Sequence, residues 1–291
     1  MLGSNNQGRE ETGCKRLGDA SLTYTAVLFE KRGHVAILTL NRPDRLNAIG
    51  ADIRREVHQA VVEARVDDDV RALIITGAGR GFCSGADLSG PRAAGGGPAA
   101  AANPSQNDRL DEDGWVGRWA KAFAYFDKPL IAAINGVAAG AGMSMALAAD
   151  VRIGSENARF KTVFVERNLS PDSGMSWFLP RIVGYAKAAD LIFTSRAVGA
   201  DEAYRLGLLD RLVKADELLE AAIAYAEEMT QWPPMAIRSA KRVLQHNFEV
   251  GLEDALRYES VGLGFARKAS ADAKESFLAF TEKRKGVYTG T

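Results

Sequence analysis

The stretch LIAAINGVAAGAGMSMALAAD, Leu130 to Asp150, decides how the chain is read. Leu130 to Ile134 is an apolar run of strand length, Asn135-Gly136 is a turn, and a small-residue segment with Gly140 and Gly142 follows. Met143 to Ala149 carries no charge and is rich in Ala, Leu and Met, so it predicts a buried helix. A strand, a glycine turn and a helix leave the first N–H groups of that helix without intrahelical partners. Such donors favour negative charge, whether a bound anion or one that develops during a reaction.

On either side the pattern is that of an α/β protein. Upstream, Tyr24 to Glu30 and His34 to Leu40 alternate around Lys31-Arg32-Gly33 and predict a β-hairpin. Ile53, Val57, Ala60 and Ala64 fall on one face of a helix over Ala51 to Arg65, and Ala72 to Thr76 (ALIIT) predicts a strand, which suggests a βαβ unit. Gly77 to Asp87 (GAGRGFCSGAD) is a second glycine-rich loop after a strand, and Trp115 to Phe126 is an aromatic-rich helix. Downstream, Val151 to Ser155 is a short strand and Phe160 to Val165 an extended segment or helical turn. A turn at Leu169 to Gly174 then leads into a helix through Trp177 and Leu179. From Ala200 the chain becomes almost wholly helical, with Gly207 to Val213 as the last strand-like piece. These patterns give a disordered N-terminus over residues 1–20, an α/β core over 21–199 and a helical, oligomerising region over 200–291. Ser89 to Asn107 (SGPRAAGGGPAAAANPSQN) is low in complexity and reads as a mobile loop.

Composition removes several classes of function. Lys+Arg and Asp+Glu both number 37, so no global charge favours nucleic acid or an anionic membrane. No apolar run reaches membrane-spanning length, and the polar start MLGSNNQGREETG lacks a signal core, which points to the cytoplasm. Cys14 and Cys83 form no C-x-x-C, and His34, His58 and His246 have no helical ligand spacing, which argues against a metal site or a Ser-His-Asp triad. Gly140-x-Gly142 is not a dinucleotide fingerprint, because Met145 stands where its third glycine belongs. On this motif alone, small residues that let a helix pack tightly explain the glycines as well as a ligand does. The second loop, Cys83-Ser84-Gly85-Ala86-Asp87, shifts the balance. Two glycine turns at one sheet edge could aim two N–H donors at one oxygen, as a thioester enolate or tetrahedral oxyanion requires.

Gly81-Phe82-Cys83-Ser84-Gly85-Ala86-Asp87-Leu88 and Ile134-Asn135-Gly136-Val137-Ala138-Ala139-Gly140-Ala141-Gly142 resemble the two signature segments of the crotonase (enoyl-CoA hydratase/isomerase) superfamily. Asn41-Arg42-Pro43 with Asn47-Ala48, Ala158-Arg159-Phe160 and Ser170-Pro171-Asp172-Ser173-Gly174 match in order and spacing, so the resemblance covers about residues 24–288. It implies a spiral of ββα units with a helical C-terminal trimerisation region, a homotrimer or dimer of trimers, and action on acyl-CoA thioesters. No separate cofactor is implied, coenzyme A being part of the substrate. By this match the amides of Ala86 and Ala141 would form an oxyanion hole. Arg45, Ala48, Ser84, Asp87, Leu88 and Phe164 would stand against the substrate, with Arg45 a candidate for the CoA phosphates and Asp87 more an organiser of its loop. Lys283, Arg284 and Lys285 are a further basic run near the C-terminus. Phe82, Trp115, Trp119 and Phe164 could line an acyl pocket or simply fill the core.

Hydratases of the superfamily carry two glutamates, and the matching positions here are Ser144 and Phe164. Glu166 lies two residues out of register. Asp172 matches an aspartate that serves proton transfer in isomerases of the superfamily, and a nucleophile in a dehalogenase that also needs a histidine this chain does not offer nearby. The other reading of Asp172 is a cap on the following helix. The expected activity is therefore isomerisation of an unsaturated or epoxidised acyl-CoA through an enolate, with Asp172 moving the proton. The alternatives are an enoyl-CoA hydratase with atypical acid and base groups, and a non-catalytic acyl-CoA-binding oligomer.

Overall fold

The computed structural model describes residues 24–89 and 105–291. The expected disordered segment 1–20 and most of the expected mobile loop 89–107 lie outside them. The hairpin forms as β1 (Val27–Arg32) and β2 (Val35–Leu40), antiparallel with Arg32 opposite Val35. Its turn runs through Gly33 at φ +56°, one residue later than the Lys31-Arg32-Gly33 pattern suggested. Helix α1 (Ala51–Val66) buries Ile53, Val57, Ala60 and Ala64, the predicted face. It delivers the chain to β3 (Ala72–Gly77), which pairs in parallel with β2.

From there a unit recurs: a long strand, a short strand turned away from it, then helix. β3 is followed by β4 (Gly81–Cys83), then by the helices α2 (Gln106–Leu110) and α3 (Gly114–Ala124). β5 (Leu130–Ile134) is followed by β6 (Val137–Ala139) and α4 (Ala141–Leu147). β7 (Val151–Ser155) is followed by β8 (Arg159–Lys161) and α5 (Met175–Val183). The chain continues through α6 (Tyr185–Thr194), β9 (Val198–Gly199), α7 (Ala200–Leu206) and β10 (Arg211–Val213). It ends with α8 (Leu218–Thr230), α9 (Pro234–Asn247), α10 (Leu252–Ala266) and α11 (Ser270–Glu282). The long strands form one sheet in the order β1-β2-β3-β5-β7-β10, and the short ones a second, β4-β6-β8-β9.

Every residue of β3 and β5 is buried, as parallel strands covered on both faces must be. Alternation sorts their side chains. Val35, Ile37, Ala72, Ile74, Ile131 and Ala133 meet Leu218, Ala222 and Ala226 of α8 on one face. Leu38, Leu73, Ile75 and Ala132 enter the larger core with α1, α3 and α4 on the other. Strand β10 and helix α8 thus belong to the packing of the six-stranded sheet although they follow residue 200. No helix among the described residues is long and apolar enough to cross a membrane.

Candidate active site

Three segments meet beyond the C-terminal ends of β2, β3 and β5. In the first, Asn47 is fully buried at φ +55°. Its amide nitrogen donates to Ala78 O (3.0 Å) and Gly81 O (2.7 Å), and its oxygen accepts Arg42 N–H (2.9 Å). The second segment lies alongside. Ser84 N–H donates to Leu46 O (2.9 Å), Ile49 N–H to Gly85 O (2.8 Å), and Asp87 N–H to Ile49 O (3.1 Å). That is a parallel bridge between Ile49 and Ala86, so the N–H of Ala86 itself faces away from Ile49. Among the described residues it has no hydrogen-bond partner.

The third segment turns at Gly140 (φ +50°), whose N–H donates to Lys161 O (3.0 Å), and α4 begins at once. Its first intrahelical bond is Ser144 N–H to Gly140 O (2.9 Å), so Ala141 N–H is left over at the helix start. The second and third segments touch through backbone. A Cβ on Gly85 would stand 2.8 Å from Ala139 O and 3.5 Å from Ala141 N, and one on Gly142 only 2.3 Å from Cys83 O. Only glycine permits that approach. The unpaired amides of Ala86 and Ala141 therefore belong to two turns in direct contact.

Side chains around this crossing have distinct states. Ser144 is fully buried and its hydroxyl donates to Asp172 O at 3.3 Å. Asp172 is half-buried, and burial raises its carboxyl above the usual carboxylate range against the opposing pull of the Ser173 hydroxyl, which donates to it at 2.9 Å. The cap reading of Asp172 fails, because Gly174 (φ +84°) is the N-cap of α5 and no side chain caps it. Asp172 offers Met175 N–H its backbone carbonyl instead, at 2.9 Å.

Asp87 accepts the hydroxyl (2.6 Å) and N–H (3.0 Å) of Ser89 and pairs with Arg42 at 3.1 Å. The Ser89 bonds foremost, and then Arg42, hold its carboxyl at about 2. Ala48 is buried, Leu88 is exposed, and Ser84 donates its hydroxyl to Arg45 O at 3.3 Å. The Arg45 side chain is 54% exposed and lies 3.7 Å from Asp44. Phe164 is buried in the main core, as are Phe82 and Trp119. Glu166 pairs with Lys161 at 2.6 Å. Cys83 is sealed in, and burial pushes its thiol up to about 12.

Other candidates stand apart. Lys283, Arg284 and Lys285 line a recess with His34 and Arg71, at the start of β2 and β3, the opposite end of the sheet. His246 stacks on Tyr258 at 3.8 Å. Among the described residues no cluster of His, Cys, Asp or Glu is arranged to hold a metal. Sequence reasoning used Asn47 only as part of a motif. Its signal was available, since asparagine tolerates the left-handed region and bonds backbone from there.

Residues 30–291 match the family described as enoyl-CoA hydratase/isomerase. A probable enoyl-CoA hydratase of Mycobacterium bovis is 37% identical over 268 residues, 92% of this chain and 99% of that protein. The crystal structure of a putative enoyl-CoA hydratase from Streptomyces coelicolor superposes with a TM-score of 0.83 at 31% identity, over 97% of this chain and 100% of that one. A monofunctional enoyl-CoA isomerase from M. smegmatis gives 0.66 at 33% identity, over 79% and 98%. The chain belongs to the enoyl-CoA hydratase/isomerase family, within the crotonase superfamily, and has its ββα architecture.

Proposed function

We propose that the chain isomerises an unsaturated acyl-CoA through a thioester enolate, with Asp172 as the proton carrier. Ala86 and Ala141 N–H would hold the enolate oxygen. Asp172 would remove a proton from C2 of a 3-enoyl thioester, the electron pair would shift onto the carbonyl oxygen, and the same proton would return at C4. One carboxylate suffices for that cycle, whereas syn addition of water needs a group to hold and deprotonate the water as well. The supporting observation is the state of Asp172: a half-buried carboxyl free of any helix-capping duty, on a residue whose main-chain carbonyl accepts the Ser144 hydroxyl. Neither Ser144 nor the buried Phe164 supplies a second acid. We infer that this activity is cytoplasmic and that the chain assembles as a trimer or dimer of trimers, the assembly being supported by the large apolar side chains exposed on α9 to α11.

Asp172→Asn tests the reading. Turnover of a 3-enoyl-CoA should fall about a hundredfold to ten-thousandfold. In the parent, rate should fall with acid through the raised Asp172 value, so the acid limb lies above the ordinary aspartate range. A folded-state value that is raised gives stability fully present below the unfolded value and lost as pH rises through the folded one. At neutral pH the ionised carboxylate therefore costs stability, and Asp172→Asn should keep or raise the melting temperature. Unchanged turnover in the variant would remove Asp172 from the mechanism. Hydration with atypical groups is a second reading, supported by the relatives named as hydratases. Faster hydration of a 2-enoyl-CoA than shift of the 3-enoyl isomer would favour it. Thioester binding without turnover in the parent would favour a non-catalytic oligomer.

A further inference from the structure

Between α1 and α3 lies a cavity of about 550 Å³ that the chemistry above does not use. Arg54, Arg55, His58, Trp115, Arg118 and Trp119 are among its lining. Two of its arginines are matched: Arg55 with Glu56 at 3.1 Å, and Arg118 with Asp111. Arg54 is not. It is half-buried, its guanidinium carbon is 5.1 Å from the Trp115 ring centroid, and among the described residues its side chain has no ion pair or hydrogen bond. The acid two residues before it, Asp52, lies 3.5 Å from Arg42 instead. Burial first, and then the like charge of Arg118, pull Arg54 below the usual arginine value. Asp52 pulls the other way but is outweighed, and a guanidinium keeps its proton regardless, so this is a half-buried cation whose one opposing charge is already shared with Arg42. Trp119 adds a second unmet donor: the residue is 4% exposed and its buried Nε1–H has no partner among the described residues.

The cavity lies within chain reach of the crossing. Ile49 bridges Ala86, Ala51 lines the cavity, and Arg54 follows Ile49 by five residues, a span of at most about 18 Å even if fully extended. Helix α3 packs on α1 and also on α4, whose first residue is Ala141.

We propose that this cavity receives the far end of the acyl group and that this end is anionic: the substrate class is the CoA thioester of a dicarboxylic acid. The second carboxylate is held by Arg54, whose planar fork matches it, with the chain lying against the tryptophans. This rests on the acyl-CoA reading above, and the test separates the two. Calorimetric titration with unreactive glutaryl-, adipyl- and suberyl-CoA is compared with pentanoyl-, hexanoyl- and octanoyl-CoA. At one length or more the dicarboxylyl thioester should bind at least tenfold tighter than its equal-length partner. Arg54→Gln should reduce that preference by roughly tenfold to a hundredfold, and Arg54→Lys by less. Because the Arg54 guanidinium has no ion pair or hydrogen bond among the described residues and its burial outweighs the pull of Asp52, Arg54→Gln should hold or raise the melting temperature. A structural arginine would lower it. No preference at any length, or one that survives Arg54→Gln, overturns this inference while leaving the isomerase reading intact. No binding of any of the six thioesters overturns both.

Discussion

Where residues 84–87 cross 139–144, backbone meets backbone: a methyl on Gly142 would stand 2.3 Å from Cys83 O. Where α9 meets the body, charged side chains make the contact. Asp127 receives Arg238 at 2.7 Å and Arg242 at 2.6 Å, while Lys241 reaches Asp150 at 2.7 Å and Lys128 O at 2.9 Å. The first contact is intolerant of volume and indifferent to side-chain chemistry. The second tolerates movement but depends on individual charges. Close approach of main chain therefore serves the part of the molecule where tenths of an ångström matter, and long polar side chains serve the part that is fastened on.

Gly142→Ala should break the first half of this contrast most severely. Cys83 O is backbone and cannot rotate away, so overpacking should outweigh the roughly 1 kcal/mol that alanine gains in a helix, for a net loss of about 2 kcal/mol. Turnover should drop further than stability does, because the strain spreads the Ala86 and Ala141 amides. Urea midpoints and kcat on one preparation would decide it, and unchanged stability would mean the contact is looser than described. Asp127→Asn addresses the second half. Burial pushes the Asp127 carboxyl up, but Arg238 and Arg242 outweigh it and hold it below the usual range. Its contribution is thus present above the unfolded value and lost as acid titrates the folded one. The arginines are 25% and 43% exposed and rehydrate when released, so the loss should be about 1–3 kcal/mol, less than for a sealed pair. The kcat should survive, and a collapse of kcat would show that the fastening reaches the site.

The mildest change is Phe280→Ser. Phe280 is 85% exposed, and Phe277 on the same helix, Leu252 on α10 and Phe248 just past α9 are also largely exposed. In an isolated chain the substitution should move stability by no more than about 0.5 kcal/mol. In an assembly it should appear as smaller species in sedimentation velocity. A parent that sediments as a single 31.3 kDa chain would contradict the proposed trimer.

Legibility followed physical scale. Leu130–Ile134 and Val151–Ser155 form strands at the predicted residues, because a short apolar run bounded by turns has few alternatives once buried on both faces. α4 begins two residues earlier than Met143, since Gly140 ends the turn and small residues suffice for the first helical turn. β4 was hidden inside what reads as a glycine loop, because three residues are too few to show alternation. Helix α6 (YAKAADLIFT) is absent from the sequence reading although its Ala188 and Leu191 fall on one buried face, because so short a segment is held as a helix chiefly by tertiary packing. At the site, glycine content exposed both turns, but Asp172 could not be separated from a cap until the left-handed Ser173 and Gly174 were seen. The unpaired state of Arg54 depends on which acids its neighbours engage, and no spacing rule encodes that.

The leftover amides of Ala86 and Ala141 carry one last implication. A donor made of main chain has no side chain to mutate, so away from Gly85 and Gly142, which let the two turns touch, a codon change leaves it standing. The residues around it, such as Ser144, Phe164 and Asp172, are then free to be exchanged for others with different acidity. Chemical diversification in such a protein needs only a new neighbour for an old pair of hydrogens.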